Sequence, residues 1–350
     1  MPEDVVVVGV GMISAVGLST AETAASVRAG TARFTETSML DHRFEPFVLA
    51  EVPEDGLPDL AEGLEGMGLT AREARMLRLA TPALTECVKA LPAGEPAPAL
   101  VLALPETETT KPMDGATFLT RLARQVGATF DVKGSDASQR GRAGGLAALG
   151  QAAEAIRTGR AKFMLAGGID TYRDTYVLGT LDAIEKRVKS AANLDGFIPG
   201  EAAGFVLLAA RSPAANAAMA LVSPVFEAIE PGHLYSKEPY RGEGLSLAVQ
   251  QLVTSGVAKG QIQEVYSSMN GESHWAKEWG VARIRQNGRF SAEHGMYHPA
   301  DCFGDTGAAC GPLLVGLAAV GVVRDSRRAC CLVYCSSDHG QRAVLVVTAA

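Results

Sequence analysis

Unbroken apolar runs mark most of the strands in this chain. Val5–Val8 is a β-branched run of the kind that forms a strand buried on both faces. Similar runs predict strands at Ala99–Leu104, Lys162–Ala166, Phe205–Ala209, Cys330–Cys335 and Ala343–Thr348. Thr129–Val132, Ala220–Ile229 and Glu264–Ser268 read as further strands. Helical segments alternate with them: one opening at Ser19/Thr20 with Glu22, then Ala71–Leu91, Ala116–Val126, Gly244–Ser255 and Trp275–Gln286. Residues 35–75, mixed in Pro, Gly, Asp and Glu, read as an excursion over the surface. Strands alternating with helices, most of them apolar throughout, predict the α/β class.

Two helical segments lack ordinary side-chain bulk. Ala143–Arg157 carries Gly144, Gly145, Ala147, Ala148, Gly150, Ala152, Ala153 and Ala155, and Thr306–Val322 reads TGAACGPLLVGLAAVGV. Glycine costs about 1 kcal/mol against alanine inside a helix, so a series of them implies close approach to neighbours on several sides. Each helix follows a polar loop and precedes an apolar strand, a polar turn and another strand. That recurrence predicts an internal duplication. The halves would be 1–210 and 219–350, joined by a connector at Arg211–Ala218 into one compact unit, with the two small-residue helices packed together between sheets. The first of these helices begins at Arg140-Gly141-Arg142. A helix N-terminus favours negative charge and suits a nucleophile, which makes an arginine there unexpected.

Composition narrows the class. In 350 residues, 47% are hydrophobic and 20% charged, as in an ordered globular protein. A net charge of −7 with no basic run argues against a nucleic-acid partner. No apolar run reaches the roughly 18–20 residues of a membrane span, and the N-terminus carries acids where a secretory signal needs bases. The expected location is cytoplasmic. The six cysteines include no CxxC pair, and Cys330, Cys331 and Cys335 lie in an apolar run, so neither disulfides nor a thiolate metal site is signalled. Gly9-Val10-Gly11-Met12-Ile13-Ser14 after the first strand raises a dinucleotide-binding reading, but the third glycine and a later acidic residue are missing. No cofactor and no metal are expected.

Four segments together resemble the β-ketoacyl synthases of the thiolase superfamily, across nearly the whole chain: VVVVGVGMISAVG, AALGQAAEAIRTGRAKFMLAGGID, NLDGFIPGEAAGFVLL and GDTGAACG. The resemblance implies a thiolase fold, five-layered αβαβα with two pseudo-duplicated halves, usually dimeric. It also implies a nucleophilic cysteine at the N-terminus of the central helix and two histidines. Aligned on Leu146 and Ala152-Ala153, the cysteine's place falls on Arg142, and the histidines' places fall on Asn270 and Asp305. A lysine of the family falls near Ala300, and the glycine-rich loop that carries its gating Phe becomes Ser336-Ser337-Asp338-His339-Gly340. Arginine offers no nucleophile at neutral pH, and neither asparagine nor aspartate reproduces the histidines' donation to an enolate.

The expectation is therefore a catalytically degenerate synthase-like protein that acts by binding. It would serve as a partner subunit in a heterodimer with an active β-ketoacyl synthase, or as a homodimeric scaffold, with acyl carrier protein as a further partner. The strand before the central helix, about Thr129–Gly134, is the family's subunit contact. Arg142, Asp305 and Asp338 are expected to meet as an ion-paired cluster. The alternative is an acyltransferase-type enzyme with a displaced site, using Cys302 beside His298 and Asp301, or the Arg142/Asp305 pocket. His294 and His298 raise a metal reading, which Gly295 and Pro299 oppose by excluding a helix. Asp338-His339 with Ser336 or Ser337 evokes a hydrolase triad without a nucleophile elbow. His274, Trp275 and Trp279 would cover the pocket mouth.

Overall fold

The computed structural model describes residues 4–107, 112–127, 129–211, 218–258, 260–325 and 330–350. Most of the expected connector, 212–217, lies outside these residues.

Two small-residue helices, Gly141–Arg157 and Cys310–Arg324, run through the middle of the molecule and pack on each other. At Gly145 a Cβ would lie 2.5 Å from Pro312 Cδ and 3.0 Å from the Ala308 carbonyl oxygen, which explains why bulk is excluded there. Each helix touches strands of both halves, so a sheet lies on either side of the pair. The outer face of the first sheet is covered by helices Ala71–Val88 and Gly115–Val126, and that of the second by Glu243–Thr254 and Ser273–Arg285. The separate apolar clusters under these outer helices, with a third around the middle pair, give the five layers αβαβα.

Strand order repeats between the halves. In the first, Glu201–Ala210 pairs antiparallel with Phe163–Thr171, which runs parallel to Ala99–Ala103, itself parallel to the edge strand Asp131–Ser138. In the second, Gln341–Ala349 pairs antiparallel with Cys330–Ser336, which is parallel to Ile262–Ser267, itself parallel to the edge strand Phe290–Tyr297. The first strand, Val5–Ser14, and the short strand Ala220–Val222 join the two arrays into one continuous sheet.

Several expectations are corrected. Ala220–Ile229 is two strands, Ala220–Val222 and Phe226–Ile229, because Pro224 stands between them and cannot donate to a ladder. The strand expected at Thr129–Val132 runs instead over Asp131–Ser138. The stretch holding His294 forms a strand, Phe290–Tyr297, and residues 35–75 include a hairpin of Thr35–Leu40 and Pro46–Leu49. One segment, Gly307–Arg324, does have the length and apolarity to cross a membrane; it is 72% buried within the protein.

Candidate functional site

The N-terminus of the central helix is built around glycine. Gly141 adopts φ +61°, and a Cβ there would meet Glu106 Oε2 at 2.8 Å. This kink brings Arg142, in the first turn, into the middle of the molecule, where it is 3% exposed. Its Nη1 donates to Asp305 Oδ2 at 2.7 Å, its Nε to the Ser336 carbonyl at 2.9 Å, and its Nη2 to Asp338. The ion pair expected with Asp305 is present.

The cluster extends beyond Arg142. Arg187 donates to both oxygens of Glu272 at 2.8 Å and to Asp338 Oδ2 at 2.8 Å. Asn270 Nδ2 donates to Asp305 at 2.7 Å and to Glu272 at 3.0 Å. Trp275 donates its indole N–H to Glu272 at 2.9 Å, and the Arg142 guanidinium lies 4.9 Å from its ring centroid. Burial alone would raise the Asp338 carboxyl, but Arg142 and Arg187 hold it well below the usual carboxylate range. Burial works against the charge of Arg142, and Asp305 and Asp338 more than restore it. The charges of the cluster are therefore paired and hydrogen-bonded, the condition under which buried charges are tolerated.

Little space remains inside it. Beside Asp305, a cavity of roughly 10 Å³ is lined by Ser268, Phe303, Thr306, Cys310 and Leu314 among others. That holds at most about one water.

The other candidate residues separate. His339 stacks on Tyr235 at 4.6 Å and sets its Nδ1 3.1 Å from Glu106, at the rim of the cluster. Cys302 lies in the short helix Ala300–Phe303, not in a loop, and is 5% exposed. Burial and Asp301 push its thiol up, the opposite of what a nucleophile needs. His298 is engaged with Ser267 Oγ at 2.6 Å. Ser336 donates to Glu278 and Ser337 to the Arg140 carbonyl, each at 2.5 Å, so these hydroxyls are committed to structural bonds. Trp275 is buried, and Trp279 stacks on Tyr334 at 5.1 Å, which makes both core anchors. His294 bonds to the Ser291 carbonyl at 3.0 Å. A grouping spaced for a metal occurs elsewhere among the described residues, at Asp41, His42 and Asp182, where His42 Nδ1 already contacts Asp182 at 2.6 Å.

Sequence reasoning missed Arg187 and Glu272, and the neighbouring buried pair Arg342–Glu278 at 2.5 Å. A buried charge has the same letter as a solvated one. The acid two residues after Asn270 was the nearest available hint for Glu272.

The family model for the N-terminal domain of β-ketoacyl synthases matches residues 110–214, which include the central helix and its flanking strands. Over that segment the chain resembles the β-ketoacyl synthases, and its overall fold is thiolase-like. No curated protein sequence matches it. Among solved structures, the ishigamide ketosynthase/chain length factor is 19% identical with a TM-score of 0.79, covering 100% of both chains. The complex of the ketosynthase ApeO with its chain length factor ApeC from Xenorhabdus doucetiae is 16% identical at a TM-score of 0.79, covering 99% of this chain and 98% of that one. The AntDE:AntF complex, a type II polyketide acyl-carrier protein with its ketosynthase bound to the hexaketide, also gives 16% and 0.79 over 100% of both chains. At these identities the likeness establishes the fold of this synthase-like protein and leaves its chemistry to the site.

Proposed function

We propose that this synthase-like protein has no condensing activity and works by binding, as the partner subunit of an active β-ketoacyl synthase. The observation that carries the reading is Arg142. It occupies the first turn of the central helix, where the resemblance puts the nucleophilic cysteine, and two carboxylates and a carbonyl hold it there. Asn270 and Asp305, aligned with the two histidines, share a hydrogen bond of 2.7 Å within the same cluster. A guanidinium cannot act as an acyl acceptor, and the cavity of roughly 10 Å³ has no room for a substrate.

The thiols near this point do not replace the missing nucleophile. Cys335 is fully buried, and burial with the adjacent Cys310 pushes its thiol well up. An acyl-transfer site at Cys302 is disfavoured by the same effect of burial.

The partner-subunit form draws support from the solved neighbours that pair a ketosynthase with a chain length factor. It also fits the edge strand Asp131–Ser138, whose outer side has no neighbouring strand among the described residues. A backbone edge of this kind is a template for pairing with another chain. An acyl carrier protein is a further partner of the resulting heterodimer. Light scattering tests the proposal. The expected result is a stable one-to-one heterodimer when the chain is co-expressed with an active synthase. A homodimer that persists in the presence of candidate synthases overturns the partner-subunit form and leaves a homodimeric scaffold.

A further inference from the structure

A large open cavity lies away from the arginine cluster and is independent of the function proposed above. It is an open cleft of about 770 Å³ between helix Thr20–Arg28, the end of helix Cys310–Arg324 and the strands that carry Tyr266 and Tyr297. That volume lies within the range of small-molecule sites, roughly 300–1,000 Å³. Its apolar lining includes Val27, Leu317 and Val320. Tyr266 and Tyr297 stack at 4.8 Å, so aromatic surface contributes to the wall. Gly321 keeps the cleft open, since a Cβ there would sit 3.0 Å from the Tyr266 hydroxyl.

Charge distinguishes this cleft from an ordinary surface depression. Arg28 and Arg324 both line it, both are exposed, and neither has an ion pair among the described residues. Each stands in the last turn of its helix, where a cation complements the dipole. Their placement on the wall of one cleft of mixed polarity, in a chain of net charge −7, adds a positive focus that the dipoles do not require. The acid in the lining, Asp325, is itself engaged in an interaction. The geometry points to a binding site for an amphipathic anion: an acyl chain or planar ring along the apolar wall, with a carboxylate or phosphate held by Arg28 and Arg324.

Isothermal titration of the full chain tests this with three probes below their micellar concentrations: dodecanoate, decyl phosphate and dodecyltrimethylammonium. Both anions are expected to bind, and the cation is not. If dodecanoate alone binds the head is a carboxylate site, and if decyl phosphate alone binds it is a phosphate site; either supports the assignment. Removing both guanidiniums with Arg28→Ala and Arg324→Ala should weaken anion binding at least about tenfold, since charge-assisted bonds are lost. Ala25→Trp, at an exposed position on the cleft wall, should block binding without touching the core. Binding of the cation as tight as the anions, anion binding unchanged in both variants, or no binding of either anion overturns the assignment.

Discussion

Two buried arginine clusters in this protein have similar chemistry and different reach. In the first, Arg72 and Arg75 on helix Ala71–Val88 grip the ends of two adjacent strands. Arg72 donates to Asp170 at 2.8 Å and to the Thr171 carbonyl at 2.9 Å, and Arg75 donates to Glu201 at 2.5 and 3.1 Å. All of these residues belong to the first half of the chain, so the arginine contacts fasten one outer helix to one sheet, while the other oxygen of Asp170 reaches the second half by accepting from Ala308 N at 3.0 Å. In the second, Arg142 and Arg187 from the first half hold Asp305, Asp338 and Glu272 from the second. This cluster ties the two halves together, at the positions onto which the resemblance maps the reactive groups of the synthases. Burying five charges for packing alone is an expensive device, because well-packed apolar groups often serve as well. On the function proposed above, the network fills the volume that a reactive site would otherwise occupy.

The sharpest way to break the comparison is to remove one cation from each cluster. Arg142→Met should cost about 3–5 kcal/mol in a denaturant titration, because Asp305 and Asp338 lose a buried counter-charge. Adding Asp305→Leu to that variant should recover part of the loss, since Asp338 keeps Arg187. Arg75→Met should cost less, on the order of 2 kcal/mol, because Glu201 still accepts from Val52 N at 2.8 Å and Thr171 Oγ1 at 2.7 Å. Equal losses in the two variants would remove the distinction.

A smaller effect separates the clusters by pH. The folded carboxyl of Asp338 lies below its unfolded value of about 3.9, so its contribution is fully present above that pH and is lost as pH falls through the folded value. Asp170 behaves oppositely: burial raises it despite Arg72. Its folded carboxyl therefore takes up its proton first as the solution is acidified. Below about pH 4, the stability of the wild type should fall more steeply than that of Asp338→Asn, measured by denaturant midpoints. Parallel curves would contradict the assignment of Asp338 as the low-titrating member.

Much of the fold was legible because its inner strands are buried on both faces and therefore read as continuous apolar runs, as at Val5–Val8 and Phe205–Ala209. The small residues of Gly141–Arg157 and Cys310–Arg324 gave away the middle layer for a similar reason, since close approach leaves a compositional mark. The edge strands were harder. Asp131–Ser138 reads DVKGSDAS and is largely solvated, so no periodic burial disciplines its sequence, and Phe290–Tyr297 escaped notice for the same cause. At the site, Arg142, Asp305 and Asp338 could be found by position in a recognisable pattern. Arg187, Glu272 and Glu278 could not, because their burial comes from tertiary packing across 85 residues for Arg187–Glu272 and 64 for Arg342–Glu278.

The central claim is that Arg142 and its partners stand where an acyl acceptor once did. Intact-mass spectrometry of the purified chain after incubation with acyl-coenzyme A, and separately with acylated carrier protein, tests it most directly. The account predicts an unmodified mass with both donors. A stoichiometric acyl adduct, abolished by one substitution within this cluster or at Cys302, would contradict it.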